Sequence, residues 1–335
     1  KRFTYQDAQN IIDDKKGLFS EELLILDKLS KILREKRFSS GSINFDRQEV
    51  KFILDKDKNP IDVFFKESIN TNHLIEEFML MANKIVAKEI GFSEKGELEK
   101  TFIYRVHDKP DEDKINSLSN IIKKFGYSIS NSSIKNLSNS LNSLLKSVKG
   151  KAESNMIETL TIRSMSKAIY TTDNIGHYGL NFKYYSHFTS PIRRYPDLIV
   201  HRLLENYLNG GKSVKKGKIE DICKYTSNKE KDASMAERDS IKYMQAKFLK
   251  DKIGEVFSGV ISGVTEWGIY VELEKNKCEG LVRISSIKGD FYVFDKNTYS
   301  VIGKSSKKKY QLGDTVNIKI KNTDLDKKQI DFILV

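Results

Sequence analysis

Two arginines stand side by side in Ser190-Pro191-Ile192-Arg193-Arg194-Tyr195-Pro196-Asp197, and two of the chain's four prolines bracket them. Proline fixes its own φ and stiffens its surroundings, so both guanidiniums hang from a backbone with few alternatives. A guanidinium stays charged and presents a planar fork that matches phosphate oxygens. The chemistry this arrangement suits is gripping a phosphodiester. The competing use is a structural ion pair at a helix start. Positive charge at a helix N-terminus opposes the macrodipole unless an anion also sits there, which favours the phosphate reading.

A formal net charge of +12 agrees with a polyanionic partner, although a lysine-heavy set of solvated faces gives the same number. Residues 251–335 carry a net +2, so most of the positive field belongs to the part before them. Hydrophobic residues make up 39% and charged residues 31%, the ordinary balance of a water-soluble globular chain. The richest apolar run, Phe78 to Ala82, is soon interrupted by Asn83 and Lys84, far short of a membrane span. Neither a signal peptide nor a starting Met precedes Lys1, so the chain reads as a piece of something longer. Cys223 and Cys278 lie far apart and read as reduced thiols of a cytoplasmic protein.

The elements that must position these residues are legible in outline. Residues 4–37 read as two helices, the second starting at Ser20 and placing Leu23, Leu26, Leu29, Ile32 and Leu33 on one face. Val50–Leu54 and Asp62–Phe65, separated by Lys58-Asn59-Pro60, read as a small hairpin. A helix over Thr71–Glu89 has Leu74, Phe78, Met81, Ala82 and Ile85 on its apolar side. Phe102–His107 is strand-like, and helices are expected over 111–125, 134–148 and 153–168. Residues 169–195 are rich in aromatics and histidine with little period, and they lead into a helix from Pro196 to Leu208. A long polar helix over 219–253 follows. From Gly254 onward five short alternating strands predict a small barrel of OB type.

With those residues in view, the chain resembles the RNB exoribonuclease family. His187 to Asp197 is similar to the family signature. Lys36-Arg37-Phe38 through Phe45-Asp46, Leu74 to Met79 with Ala82-Asn83, Arg105 to Pro110, and Met235-Ala236-Glu237-Arg238 resemble further motifs in the family's order. The barrel segments Trp267 to Val271 and Glu279 to Val282 look like the RNA-binding module repeated in a large ribosomal protein, with Arg283 where that module often has histidine. The barrel and the Asp290-Phe291-Tyr292 segment look closer to the family's ribonuclease R branch.

The resemblance implies an α+β fold: the C-terminal portion of an RNB catalytic domain over residues 1–252, then an OB-fold barrel over 253–335. It implies a hydrolytic, processive 3′-to-5′ exoribonuclease that releases nucleoside 5′-monophosphates from single-stranded RNA. Arg193 falls on the arginine that contacts the scissile phosphate. Phe45 matches the aromatic that stacks on the 3′-terminal base, and Tyr5 and Glu76 match residues that contact the terminal nucleotide and select ribose. Ser190 and Arg194 belong to the same signature, and Glu237 matches a position near the RNA path. Trp267 and Tyr270 are the expected stacking platform, with Arg283 and Lys307-Lys308-Lys309 beside it. Residue by residue, the plain alternatives are a core aromatic for Phe45, a packing aromatic for Tyr5, a solvated carboxylate for Glu76 and a solvated loop for the lysines.

Hydrolysis in the family uses divalent cations, expected to be magnesium, held by aspartates spaced D-x5-D-x-D-D. No such cluster occurs here; Asp55-Lys56-Asp57 and Asp111-Glu112-Asp113 have the wrong spacing and sit in expected turns. The resemblance places those ligands upstream of Lys1. The expectation is therefore a monomeric RNA binder that does not cleave, or, as the alternative, a non-catalytic RNA-binding protein on the same scaffold. A DNA-binding module is the weaker third reading.

Overall fold

The computed structural model describes residues 1–43, 49–66, 68–91, 100–131, 133–151, 153–295, 298 and 300–335. The first helix, α1 (Tyr5–Asp14), begins where Thr4 and Asp7 exchange side chain-to-backbone bonds, a reciprocal cap that satisfies two helix-end groups. Glu21 and Glu22 open α2 (Ser20–Ser39) and Lys36 and Arg37 close it, each complementing the dipole at its own end. An antiparallel hairpin follows, β1 (Glu49–Leu54) and β2 (Pro60–Lys66). Its turn is organised by the Asp55 carboxylate, which accepts the backbone N–H groups of Asp57 at 2.9 Å and Asn59 at 2.8 Å. Pro60 is the first residue of β2 rather than part of the turn, a position that tolerates the missing N–H.

Helix α3 (Asn70–Gly91) packs across α1 and α2. The face of α2 that turns inward is not the leucine face read from the period. Asp27, Ser30 and Arg37 are buried, whereas Leu26, Leu29 and Ile32 are exposed. The reason lies on α3: the Arg37 guanidinium donates from Nε to both Glu77 carboxylate oxygens, at 3.1 and 3.2 Å, and from Nη1 to the Ser42 hydroxyl at 3.0 Å. A buried ion pair with that many contacts sets the rotation of the helix against the preference of its leucines.

Strand β3 (Tyr104–Val106) pairs antiparallel with β4 (Ile169–Thr171), with α4 (Glu112–Lys123), α5 (Ile134–Val148) and α6 (Ser154–Ser164) between them in sequence. Asp111 caps α4 by accepting from the Lys114 N–H, so neither of the aspartate groups noted above is more than a turn or cap. Helix α6 stops at Ser164, short of the residue-168 limit read from the sequence. Helices α7 (Tyr195–Leu208) and α8 (Lys216–Leu249) complete this part. One apolar core joins Ala87, Phe102, Tyr104, Val106, Tyr170, Ile199, Val200 and Leu203 with Ile219 and Cys223 at the start of α8. The other end of α8, at Ala246, Phe248 and Leu249, belongs to a second core shared with α4–α6 and the C-terminal strands.

Those strands are β5 (Val256–Thr265), β6 (Gly268–Leu273), β7 (Glu279–Arg283), β8 (Tyr292–Asp295), β9 (Ser300–Gly303), β10 (Lys309–Gln311), β11 (Thr315–Asp324) and β12 (Gln329–Leu334). Five of them close a barrel in the order β11-β12-β7-β6-β5, with β12 and β7 parallel. Gly268 is required at the β5–β6 corner because any Cβ there would collide with the Val282 backbone carbonyl. The other three strands form a separate sheet, β10-β9-β8, that the alternation pattern did not reveal. The architecture is mixed α+β, a helical and small-sheet part followed by a barrel. Both cysteines are buried and free, and burial pushes each thiol up to about 12. Among the described residues no helix is long and apolar enough to cross a membrane.

Candidate nucleic-acid interface

The arginine pair sits on the turn between the irregular segment after β4 and the start of α7. Ser190 makes the turn: its carbonyl accepts the N–H groups of Arg193 at 3.3 Å and Arg194 at 3.0 Å. Its own N–H is taken by the Asp197 carboxylate at 2.8 Å. Asp197 is fully buried in the first turn of α7, where negative charge is favoured by the dipole. The same carboxylate receives Arg194, Nε to Oδ1 at 2.9 Å and Nη2 to Oδ2 at 2.8 Å.

The two arginines therefore part company. Arg194 takes the ion-pair alternative: the anion that relieves its conflict with the helix dipole is three residues along the chain. Arg193 is exposed, and no carboxylate among the described residues pairs with it. Its planar donor fork faces solvent on a turn whose backbone is closed by hydrogen bonds, the state in which it can receive an anion.

Behind the turn, aromatic rings and histidines pack edge to face or tilted in a continuous series. His107 meets His177 at 5.1 Å between centroids, His177 meets Tyr185 at 5.2 Å, and Tyr185 meets His187 at 5.7 Å. The Tyr170 hydroxyl lies 2.8 Å from His187 Nδ1, and Arg105 stands over the Tyr170 ring while holding Glu230 of α8. Burial, reinforced by neighbouring positive charge, lowers His177 to about 3 and His187 to about 2, so both imidazoles are neutral at pH 7. Tyr170 is raised to about 12 by burial. These groups are a rigid wall. The ring of His201 stacks on Phe188 at 4.0 Å and its Nε2 donates to the Phe188 carbonyl, fastening α7 to the same loop.

A second group gathers where α1 meets α3. The Thr71 hydroxyl donates to the Tyr5 carbonyl at 2.9 Å and the Thr71 N–H to Gln9, so the start of α1 is fixed to the start of α3. Tyr5 is half exposed there. Glu76 is not a free solvated carboxylate: Arg37 lies at 3.4 Å, His73 at 3.3 Å and Arg34 at 3.7 Å. About half its side chain remains open. Phe45 lies outside the described residues. Glu237 is exposed on the middle stretch of α8, residues 235–243, which is exposed on every side.

On the barrel, Trp267 is 71% exposed in the turn between β5 and β6, and its carbonyl accepts the Ile284 N–H at the end of β7. Register pairs Gly268 with Arg283 and Tyr270 with Leu281, placing Tyr270 and Arg283 on one outer face of the barrel. Arg283 also reaches Asp331 at 3.5 Å. Lys309 opens β10 of the separate sheet and Lys308 immediately precedes it. There Lys308 lies over Tyr310 at 5.1 Å and Lys304 over the exposed Phe291 at 4.7 Å. The Lys304–Phe291 pair went unread because its partners are 13 residues apart on a sheet with no clear period. Asn83 and Asp197 were also missed as site residues, although both stand inside motifs quoted above.

No group of three or more His, Cys, Asp or Glu among the described residues could hold a metal ion. The described residues therefore do not fit a divalent-cation centre.

Known proteins match the whole of this arrangement. The RNB domain family model covers residues 1–210 and the S1 RNA binding domain model covers 250–334. Ribonuclease R of Aquifex aeolicus is 35% identical over 343 residues, covering 100% of this chain and 48% of its own length. Ribonuclease R of Buchnera aphidicola subsp. Schizaphis graminum is 36% identical, covering 99% of this chain and 47% of its own. The solved structure of Mycoplasma genitalium RNase R in complex with ribose methylated single-stranded RNA superposes with a TM-score of 0.89 at 26% identity, over 100% of this chain and 53% of that one. The chain thus spans about half the length of the relatives it matches. With its domain order, its signature loop and its barrel all in place, the chain belongs to the RNB family and carries an S1 RNA binding domain after its RNB domain.

Proposed function

We propose that these residues are the RNA-gripping portion of a hydrolytic, processive 3′-to-5′ exoribonuclease, and that by themselves they bind single-stranded RNA without cutting it. The observation that carries the reading is Arg193, an unpaired guanidinium on a turn closed by backbone bonds while its neighbour is spent on Asp197. In this reading Arg193 holds the scissile phosphate of the last linkage and stabilises charge as that bond breaks. Tyr5, Glu76 and Phe45 receive the terminal nucleotide; a hydroxyl and a partly open carboxylate each suit a ribose 2′-OH. Ser190 shapes the turn, Arg194 adds positive potential, and Glu237 borders the strand's path. Trp267, Tyr270 and Arg283 hold the incoming strand on the barrel. The division falls at 252/253, and the metal, magnesium in this reading, is held by aspartates other than those described.

Trp267→Ala is expected to weaken binding of a single-stranded oligonucleotide by about 1–3 kcal/mol, read by fluorescence anisotropy. The loss should be equal for RNA and DNA, because a stacked base does not report its sugar. A loss confined to RNA would contradict the stacking role.

The function itself is tested by incubating the 335-residue chain with 5′-labelled oligoadenylate and magnesium. Retention of full-length RNA in a complex is expected, and release of nucleoside 5′-monophosphates would overturn the proposal for this chain. In the complete protein, Arg193→Ala should abolish most turnover of poly(A); near-normal turnover would remove the catalytic assignment. The second reading is a non-catalytic RNA-binding protein on this scaffold. It wins if the complete, metal-supplied protein binds poly(A) and never shortens it.

A further inference from the structure

The backbone of the arginine turn is held at three consecutive N–H groups by two buried side chains from different helices. Asn83 Oδ1 accepts Phe188 N–H at 2.9 Å and Thr189 N–H at 3.2 Å, and Asp197 accepts Ser190 N–H at 2.8 Å. Asn83 is 3% exposed in the middle of α3, a place where asparagine is a poor helix former. Its Nδ2 donates to the Tyr185 hydroxyl at 3.3 Å, which fixes the direction of the amide so that its oxygen faces the loop. All three of its contacts go to residues 185–189, about 105 positions away in the chain. A core-filling residue would need none of them.

We propose that Asn83 is a positioning residue for Arg193. It holds the stretch before Pro191 so that the turn presents one guanidinium outward while Asp197 draws the other in. This deepens, and rests on, the reading of Arg193 as the phosphate grip. The polar groups around the loop support the division of labour. Tyr185 and the histidine series sit behind it, Asp197 is engaged by Ser190 and Arg194, and among the described residues Asn83 alone accepts the N–H groups that precede the turn. Loss of its oxygen leaves two backbone donors without partners in a packed site, and the loop must move to reach water.

The test is a double-mutant cycle on the 335-residue chain, with 5′-labelled oligoadenylate as the probe. Asn83→Leu removes the acceptor while keeping a side chain branched at Cγ, and is expected to weaken binding about fivefold. In an Arg193→Ala background the same change should matter less than about twofold, because the residue it positions is gone. Full additivity would show a merely structural role and overturn the proposal. Hydrogen exchange gives an independent readout: Phe188 and Thr189 amides should exchange about tenfold faster in Asn83→Leu, while strands β5–β7 stay protected. Unchanged exchange at those two amides would also overturn it. Asn83→Asp, which keeps the acceptor, should restore their protection. If Asn83→Leu does not fold, Asn83→Ser, too short to reach the loop, carries the same cycle. If Arg193→Ala binds like the unmodified chain, the phosphate grip itself falls. That outcome is distinct from one in which Arg193 matters and Asn83 does not.

Discussion

Glu77→Ala is expected to lower the unfolding free energy by about 3 kcal/mol, measured by urea titration of the 335-residue chain. Glu77 is 3% exposed and Arg37 7%, so removing the carboxylate strands a guanidinium inside the α2–α3 contact. The low end of the range for a broken buried pair applies because Arg37 keeps Ser42 and a longer contact to Glu76. Replacing both partners, Arg37→Leu with Glu77→Leu, should cost less than either single change, since no buried charge is then left over. A double variant as unstable as the sum of the singles would contradict this. The pair also decides which side of α2 faces the protein, and the double variant should let Leu26, Leu29 and Ile32 compete for the interior.

Acid should destabilise the fold well before the carboxylates titrate. His177 and His187 ionise near 3 and 2 in the folded chain and near 6.5 when unfolded. The unfolded state therefore binds more protons below pH 6.5, and stability falls as pH falls from 6.5 toward the folded values. Each histidine contributes at most about 1.4 kcal/mol per pH unit, and both are only partly shielded from solvent, so the pair should remove about 2–4 kcal/mol between pH 6.5 and 4.5. Urea titrations at the two pH values read this directly. His187→Gln should flatten the slope by about half. A profile flat from pH 6.5 to 4.5 would show that the wall behind the arginine turn is solvated rather than packed.

The parts of this fold that the sequence disclosed are those whose cause is local. Proline on both sides of Arg193, acidic residues opening α2, and alternation in the five barrel strands all act within a few residues. Part of what stayed hidden depends on partners far along the chain. The leucine period of α2 was real, but Glu77, 40 residues away, turned the other face inward. Arg194 could be separated from Arg193 only once α7 placed Asp197 beneath it. Strands β8–β10 are three or four residues long, too short for a period to show. Asn83 read as part of a motif without a role because its partners are the backbone of a distant loop. What the sequence did not disclose is what holds the arginine turn in place.

The most direct measurement is an equilibrium titration of the 335-residue chain and its Arg193→Ala variant with labelled oligoadenylate across a range of salt. Loss of the exposed guanidinium should weaken binding about tenfold and make the slope of log K against log salt shallower by about 0.7, one phosphate contact on a single strand. Identical affinity and identical slope for the two proteins would mean that Arg193 meets no phosphate.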